Sequence, residues 1–209
     1  MAAICPTITV SNEQEYLRQL DNVKDFATRL HIDLMDGQLA PTKSISADKI
    51  YWPDNIEANI HVMYQQPMDL LNQLVKLKPS MVIIHAEAEV EHQHFAIHLR
   101  DNGIKAGLAV LQNTSIDSIT DLIPSFDQVL IFGGNLGYQG AQADLSMLDK
   151  VVKLRASYPD LEIAWDGGVN DQNVKQIVEA GVSVINVGSY IQASSSPKDA
   201  YDKLLSSLS

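Results

Sequence analysis

Four side chains of this sequence suit a protein interior only if something charged sits among them. In LHIDLMD, His31, Asp33 and Met35 alternate with Ile32 and Leu34, and alternation along an extended segment puts the two sets on opposite faces. NIHVMY repeats the arrangement, with His61 and Met63 on one face and Ile60 and Val62 on the other. A third segment, IAWDGGV, reaches Asp166 just before Gly167 and Gly168. A buried imidazole or carboxylate is costly unless it is paired, hydrogen-bonded or bound to a metal. A His–Asp hydrogen bond, or exposure on an open sheet, would account for the first segment taken alone. Together, two imidazoles and two carboxylates make a donor set for one divalent cation: Zn²⁺, Fe²⁺, Mn²⁺ or Co²⁺. The mixed nitrogen and oxygen donors do not choose among these.

A second pattern lies in the last third. FGGNLGYQG carries Gly133, Gly134, Gly137 and Gly140 around Tyr138 and Gln139, while Gly188-Ser189 closes VINVGS. Glycines let backbone N–H groups approach and point at an anion. Any one of these sites alone simply makes a turn. With Gly167-Gly168 they form three such sites at successive strand ends, which is the pattern a phosphate needs. The formal charge is −11, so local dipoles or a metal would have to hold an anionic ligand. That charge also argues against nucleic acid or an anionic membrane as partner.

The elements that would carry these residues alternate along the chain. Short apolar runs read as strands: AICPTIT, RLHIDLM, IEANIHVMY, MVIIHAE, KAGLAVL, QVLIFGG, LEIAWDGGV and VSVINVG. Helix-like stretches follow them: SNEQEYLRQL, PMDLLNQLVKLK, VEHQHFAIHLRDNG, SIDSITDLI, LSMLDKVVKLRASY, NVKQIVEAG and SPKDAYDKLLSSL. Ser11 with Gln14 three places on has the form of a capping box. The irregular stretch DGQLAPTKSISADKIYWPDN after the second strand is the least helix-like. Eight strand–helix units of about 25 residues fit a closed parallel (β/α)8 barrel, one domain across residues 1–209. An open doubly wound sheet would have fewer units and normally a glycine-rich first turn, where this chain has VSNEQ. In such barrels chemistry lies at the C-terminal ends of the strands, where all four candidate donors fall.

The bulk properties agree with an ordinary soluble globular protein: 209 residues, 45% hydrophobic and 20% charged. Cys5 is the one cysteine; it reads as a small buried hydrophobe in a reducing compartment. No apolar run approaches the roughly 20 residues of a membrane helix, and the N-terminus lacks the basic flank of a signal peptide. A cytoplasmic protein is the expectation. An apolar outer helix face serves core and interface alike, so a homo-oligomer stays open.

Taken together, CPTI (5–8), HIDLMDG (31–37), HVM (61–63), IHAEAE (84–89), KAGLAV (105–110), WDGGVN (165–170) and VGS (187–189) resemble the ribulose-phosphate 3-epimerase family over essentially the whole chain. The resemblance implies a barrel that binds a pentulose 5-phosphate and one divalent metal. By position, His31, Asp33, His61 and Asp166 match the family's metal ligands, and Asp33 and Asp166 its acid/base pair. Met35 and Met63 match thioethers beside the reacting carbons. The substrate would be held by Thr7, Met35, His61 and Met63, with Gly137, Tyr138, Gln139, Gly140, Gly167, Gly168, Gly188 and Ser189 around the phosphate. Thr7 replaces the family's usual serine. Gln38-Leu39-Ala40-Pro41 replaces its usual lid after strand two, and Gln139 stands for a glycine of the strand-six loop. Another ketose phosphate, such as allulose 6-phosphate, therefore stays open as substrate, as does a non-catalytic phosphosugar-binding barrel. An aldolase or decarboxylase would want a lysine at a strand's C-terminal end, whereas Lys105 opens its strand. The remaining residues take plainer roles: His85 supports the site, His92, His94 and His98 are solvated with a spacing that permits a surface metal site, and Trp52 and Trp165 pack.

Overall fold

The computed structural model describes residues 2–208. Eight strands hydrogen-bond in chain order and close into a barrel: β1 (Ala3–Ile8), β2 (Arg29–Met35), β3 (Glu57–Met63), β4 (Met81–His85), β5 (Lys105–Val110), β6 (Gln128–Phe132), β7 (Glu162–Asp166) and β8 (Val184–Val187). Every pairing is parallel, and the seam is β1 against β8, from Ala3↔Val184 to Pro6↔Val187. The closed parallel (β/α)8 barrel expected from the alternation is present.

Each strand is buried on both faces, which is why its residues are apolar nearly throughout. The outward set, with Ile32, Leu34, Ile60, Val62, Ile131 and Ile185, packs under the helices. The inward set forms a separate core of Cys5, Met81, Ile83, Ala109, Leu130, Ala164 and Val184. The polar inward residues of β2, β3 and β7 lie above that plug, toward the C-terminal ends. At the opposite mouth Arg29 donates to both carboxylate oxygens of Glu162 at 3.2 and 3.1 Å.

The outer layer departs from the expected regularity in four places. Helix α1 (Glu13–Asp21) is capped by Asn12, whose side chain accepts from the N–H of Glu15 at 3.0 Å, so Ser11 is not the cap. After β2 there is only a 3₁₀ turn at Ala47–Lys49. SIDSITDLI forms two 3₁₀ turns, Ile116–Ile119 and Ile123–Ser125, where a helix was expected. There Ser118 and Thr120 hydroxyls donate to nearby backbone carbonyls, and Pro124 stops propagation. Helices α2 (Leu71–Leu77, after a 3₁₀ turn at Pro67–Leu70), α3 (His92–Asp101), α4 (Leu148–Ser157) and α5 (Val174–Glu179) lie where the sequence pattern puts them. Between β8 and the C-terminal helix, an unforeseen short helix α6 (Ser189–Gln192) precedes α7 (Pro197–Ser206). Among the described residues, no helix is long and apolar enough to cross a membrane.

Candidate active site

The barrel register sets the geometry. Asp33 pairs laterally with His61, and Asp166 with Phe132 and Asn186. His31 and Asp33 follow one another on the inner face of β2, so strands two, three and seven aim four side chains at one point. One donor atom from each of His31, Asp33, His61 and Asp166 lies within 4.8 Å of all the others. His31 Nε2 is 3.3 Å from Asp33 Oδ1 and 3.4 Å from Asp166 Oδ2. His61 Nδ1 is 3.1 Å from the same Asp33 oxygen and 3.9 Å from Asp166 Oδ2. Both imidazoles are fully buried, while Asp33 and Asp166 keep 7% and 8% of their surface exposed. The carboxylates thus reach the cleft above and the histidines stay beneath it.

These residues fit a divalent cation. Neither ring nitrogen of His31 has a hydrogen-bond partner although both are buried. Two buried carboxylates face each other across neutral rings, so the site concentrates negative charge that something positive must balance. Without a metal the balance falls on a proton. Burial opposes the imidazolium of His31, but contacts with Asp166 and Asp33 outweigh it and push its pKa up to about 9. Asp33, despite its burial, is held well below the usual carboxylate range by its contacts with His31 and His61. His61 goes the other way: burial, with a contribution from His85, pushes it down to about 4 against the pull of Asp33. A neutral imidazole is the form that ligates a metal.

A chain of partners sets which nitrogen of His61 carries its proton. His61 Nε2 is 2.9 Å from His85 Nε2, and His85 Nδ1 is 3.3 Å from a Glu87 oxygen. A carboxylate only accepts, so with neutral rings His85 donates from Nδ1 and accepts at Nε2. His61 then donates from Nε2, which leaves a lone pair on Nδ1 directed at the cluster. The other Glu87 oxygen accepts from the Leu111 N–H at 3.0 Å and from the Thr114 hydroxyl. Lys150 fastens that loop by donating to the carbonyls of Leu111, Gln112 and Thr114. Asp33 is fixed separately, its Oδ2 accepting from the Thr9 hydroxyl at 2.5 Å.

Above the cluster lies a cleft of about 590 Å³. Its wall includes Thr7, Met35, Met63, Gly137, Tyr138, Gln139, Gly140, Gly167, Gly168, Gly188 and Ser189, so the expected substrate residues converge, apart from His61 below the floor. Met35 and Met63 pack with Ala40 into an apolar patch. The strand-six loop crosses the mouth: Thr42 donates to the Gly137 carbonyl at 2.8 Å, and the Gln139 amide donates to the Thr9 carbonyl at 2.5 Å. Gly167 and Gly168 have φ of +109° and +68°, and a Cβ on either would strike the backbone of the loop after β6. Among the described residues of the wall there is no lysine or arginine. Any phosphate there would meet backbone N–H groups and hydroxyls.

The sequence pattern missed Thr9, Asn186 and the role of Glu87. Thr9 continues the inward alternation of Cys5 and Thr7, which is the signal that points to it. His85 supports the site as expected. His92, expected in solvent, is half-buried and donates from Nε2 to the His85 carbonyl at 3.0 Å, while His94 and His98 are exposed. Among the described residues those three histidines are not part of any metal-holding group, because the four-residue cluster is the one such group. Trp165 packs fully buried, its indole donating to the Gly167 carbonyl. Lys105 is exposed at the start of β5, far from this mouth.

Fold and site together define a (β/α)8-barrel protein with a buried histidine–aspartate cluster, able to hold a cation, at the C-terminal mouth. Among solved structures, the chain superposes on 3-hexulose-6-phosphate synthase from Salmonella typhimurium with a TM-score of 0.73 and 14% identity, covering 99% of this chain and 98% of that one. For orotidine 5'-monophosphate decarboxylase from Sulfolobus solfataricus the values are 0.69 and 15%, covering 100% and 98%. Such likeness establishes the fold alone. Residues 3–192 match the Ribulose-phosphate 3 epimerase family, and the chain belongs to that family. It is 29% identical over 209 residues to the ribulose-phosphate 3-epimerase of Helicobacter pylori, covering 96% of this chain and 95% of that protein. With the Bacillus subtilis enzyme of the same name it shares 27% over 214 residues, covering 98% of each. The protein is thus an enzyme of the carbohydrate epimerase class.

Proposed function

We propose that the enzyme inverts C3 of a ketose phosphate, D-ribulose 5-phosphate to D-xylulose 5-phosphate, by proton transfer between two aspartates. The observation that carries this reading is that Asp33 and Asp166 rise from strands two and seven, share the same histidines, and alone of the cluster reach the cleft. Asp33 as carboxylate takes the C3 proton from one face of the sugar, and Asp166 as carboxylic acid returns a proton to the other. In the reverse direction the roles exchange. Thr9 holds Asp33 in the orientation this needs. The chemistry a divalent cation would supply there, held by His31, His61, Asp33 and Asp166, is stabilisation of negative charge on the substrate oxygens as the C–H bond breaks. Met35 and Met63 offer the planar intermediate an apolar, unreactive surface that excludes water. The glycine loops after β6, β7 and β8 take the phosphate.

A ketose phosphate of different length is the second reading, favoured by the Gln139 bridge to Thr9 at the mouth, where the sugar's length would be read. Solvent-deuterium exchange into ribulose 5-phosphate and a panel of other ketose phosphates, with metal analysis of the purified protein, tests both. Exchange at C3 is expected, lost about 10²- to 10⁴-fold in Asp33→Asn or Asp166→Asn at unchanged melting temperature. Absence of bound metal together with absence of exchange into every ketose phosphate would leave only a binding protein.

A further inference from the structure

Strand β8 reads as an apolar alternation broken once, at Asn186. Its neighbours Ile185 and Val187 face outward into the helix layer, and Val184 faces inward into the barrel plug. Asn186 shares that inward face, between Asp166 on one side and Cys5 on the other. It is only 2% exposed and lines the cleft. Both polar atoms of its side chain, Nδ2 and Oδ1, lack any hydrogen-bond partner. Thr7, on the next strand and in the same wall, is 3% exposed with an equally unpartnered hydroxyl. Asp33, by contrast, is engaged by Thr9 and His61, and His85 by Glu87 and His61.

A buried amide with neither atom satisfied destabilises the fold compared with a leucine or valine of similar size. Folding therefore gives no reason for an asparagine in this place, and a ligand does. A carboxamide presents one donor and one acceptor side by side, which matches two neighbouring oxygens of which one at least is a hydroxyl. That is the pattern along a sugar chain. A phosphate, which offers oxygens but few protons, would leave Oδ1 unsatisfied.

We infer that Asn186 is a specificity-determining residue whose amide binds two adjacent oxygens of the sugar, with the Thr7 hydroxyl beside it. This rests on the reading of the cleft as a ketose-phosphate site, and it assigns to β8 a recognition of hydroxyls distinct from the holding of phosphate by the loops. A site built to hydrogen-bond hydroxyls discriminates strongly against ligands that lack them, because its polar groups are then left bare.

The test compares two probes on the protein as purified: ribulose 5-phosphate, and n-pentyl phosphate, which keeps the chain and the phosphate but has no hydroxyls. Binding is measured by calorimetry for wild type and for Asn186→Leu, together with thermal melting. The expected result is that Asn186→Leu binds ribulose 5-phosphate about 10- to 100-fold more weakly, binds n-pentyl phosphate within about twofold of wild type, and melts no lower. Equal weakening of both probes would show that the residue only shapes the cleft, and an unchanged affinity for ribulose 5-phosphate would show no contact; either overturns the inference. So would a wild type that binds ribulose 5-phosphate no more tightly than n-pentyl phosphate. Should the leucine variant fail to fold, Asn186→Ala puts the same question with a smaller side chain. A wild type that binds the sugar through Asn186 but exchanges no deuterium at C3 would uphold this inference and refute the epimerase reading.

Discussion

Replacing Glu87 by glutamine changes one atom of a side chain that touches neither cleft nor cluster, yet it should weaken metal binding. In the native chain Glu87 accepts on both sides, from His85 Nδ1 and from the Leu111 N–H and Thr114 hydroxyl. The Leu111 N–H can only donate, so a glutamine keeps its carbonyl oxygen there and turns its NH₂ toward His85. His85 Nδ1 must then accept, its proton moves to Nε2, and it donates across 2.9 Å to His61 Nε2. His61 is left with its proton on Nδ1, the atom 3.1 Å from Asp33 that faces the cluster. Restoring the ligating tautomer sets two donors against each other and leaves a buried polar group unpaired, about 1–3 kcal/mol. That is about 5- to 150-fold in metal affinity, which spans the tenfold to hundredfold range typical of partners that orient a ligand. Competition with a chelator measures the affinity, and long-range ¹H–¹⁵N imidazole correlations report the tautomer. Glu87→Gln protein that binds Zn²⁺ or Co²⁺ within about twofold of wild type, with His61 Nδ1 still unprotonated, would refute the relay. The same carboxylate also sets a pH dependence. Burial raises its pKa, but His85, Thr114 and Leu111 outweigh that and push it from 4.5 down to about 2. The folded state binds the proton less readily than the unfolded chain. The stabilisation is therefore full above about pH 4.5 and is lost as pH falls toward about 2, and Glu87→Gln should flatten that segment of the acid-unfolding curve.

Three further expectations follow from the loops and the core. Gly168→Ala places a β-carbon at φ +68° against the backbone of Gln142 and Ala143. It should cost about 1–3 kcal/mol of stability and weaken inorganic phosphate binding, both absent if the loop after β6 yields freely; melting and phosphate titration decide. Gln139→Gly removes the exposed bridge to Thr9 and should raise KM for ketose phosphates by up to about tenfold with little change in kcat; an unaltered KM across the panel would deny the bridge a part in binding. Cys5 is fully buried, and burial pushes its thiol up to about 12; a thiol reagent should modify it only at the rate of global unfolding, and rapid labelling of folded protein would contradict the packed barrel plug.

The parts of this site legible in the sequence are those that depend on strand alternation. A period of two fixes which side of β2 and β3 faces inward, and closure of the barrel makes that side converge on one axis, so His31, Asp33 and His61 could be placed without coordinates. The loss of the helix after β5 was not legible in the same way. Serine and threonine hydroxyls and Pro124 act locally against propagation there, and the strands remain closed without a full helix. Contacts made by chance of tertiary approach carried no periodic signal. Gln139 meets Thr9 across 130 residues, and Glu87 acts on His61 only because β4 brings His85 between them.

Asn186 shows why an anomaly in one strand is weak while the same anomaly in a closed barrel is strong. In VSVINVG a single asparagine reads as a tolerated polar residue, because an isolated strand leaves its inner face undefined. Pairing with Cys5 on β1 and Asp166 on β7 removes that freedom: any inward side chain at this level ends beside the cleft and away from bulk water. Its two unpartnered atoms then have to be answered by a bound molecule or left as a standing loss of stability. The four cluster residues obey the same logic, since buried donors facing one another make sense only around a positive charge. The proposed metal and hydroxyl sites are thus two consequences of one constraint, the closure of the sheet, which converts unsatisfied polar groups into statements about ligands.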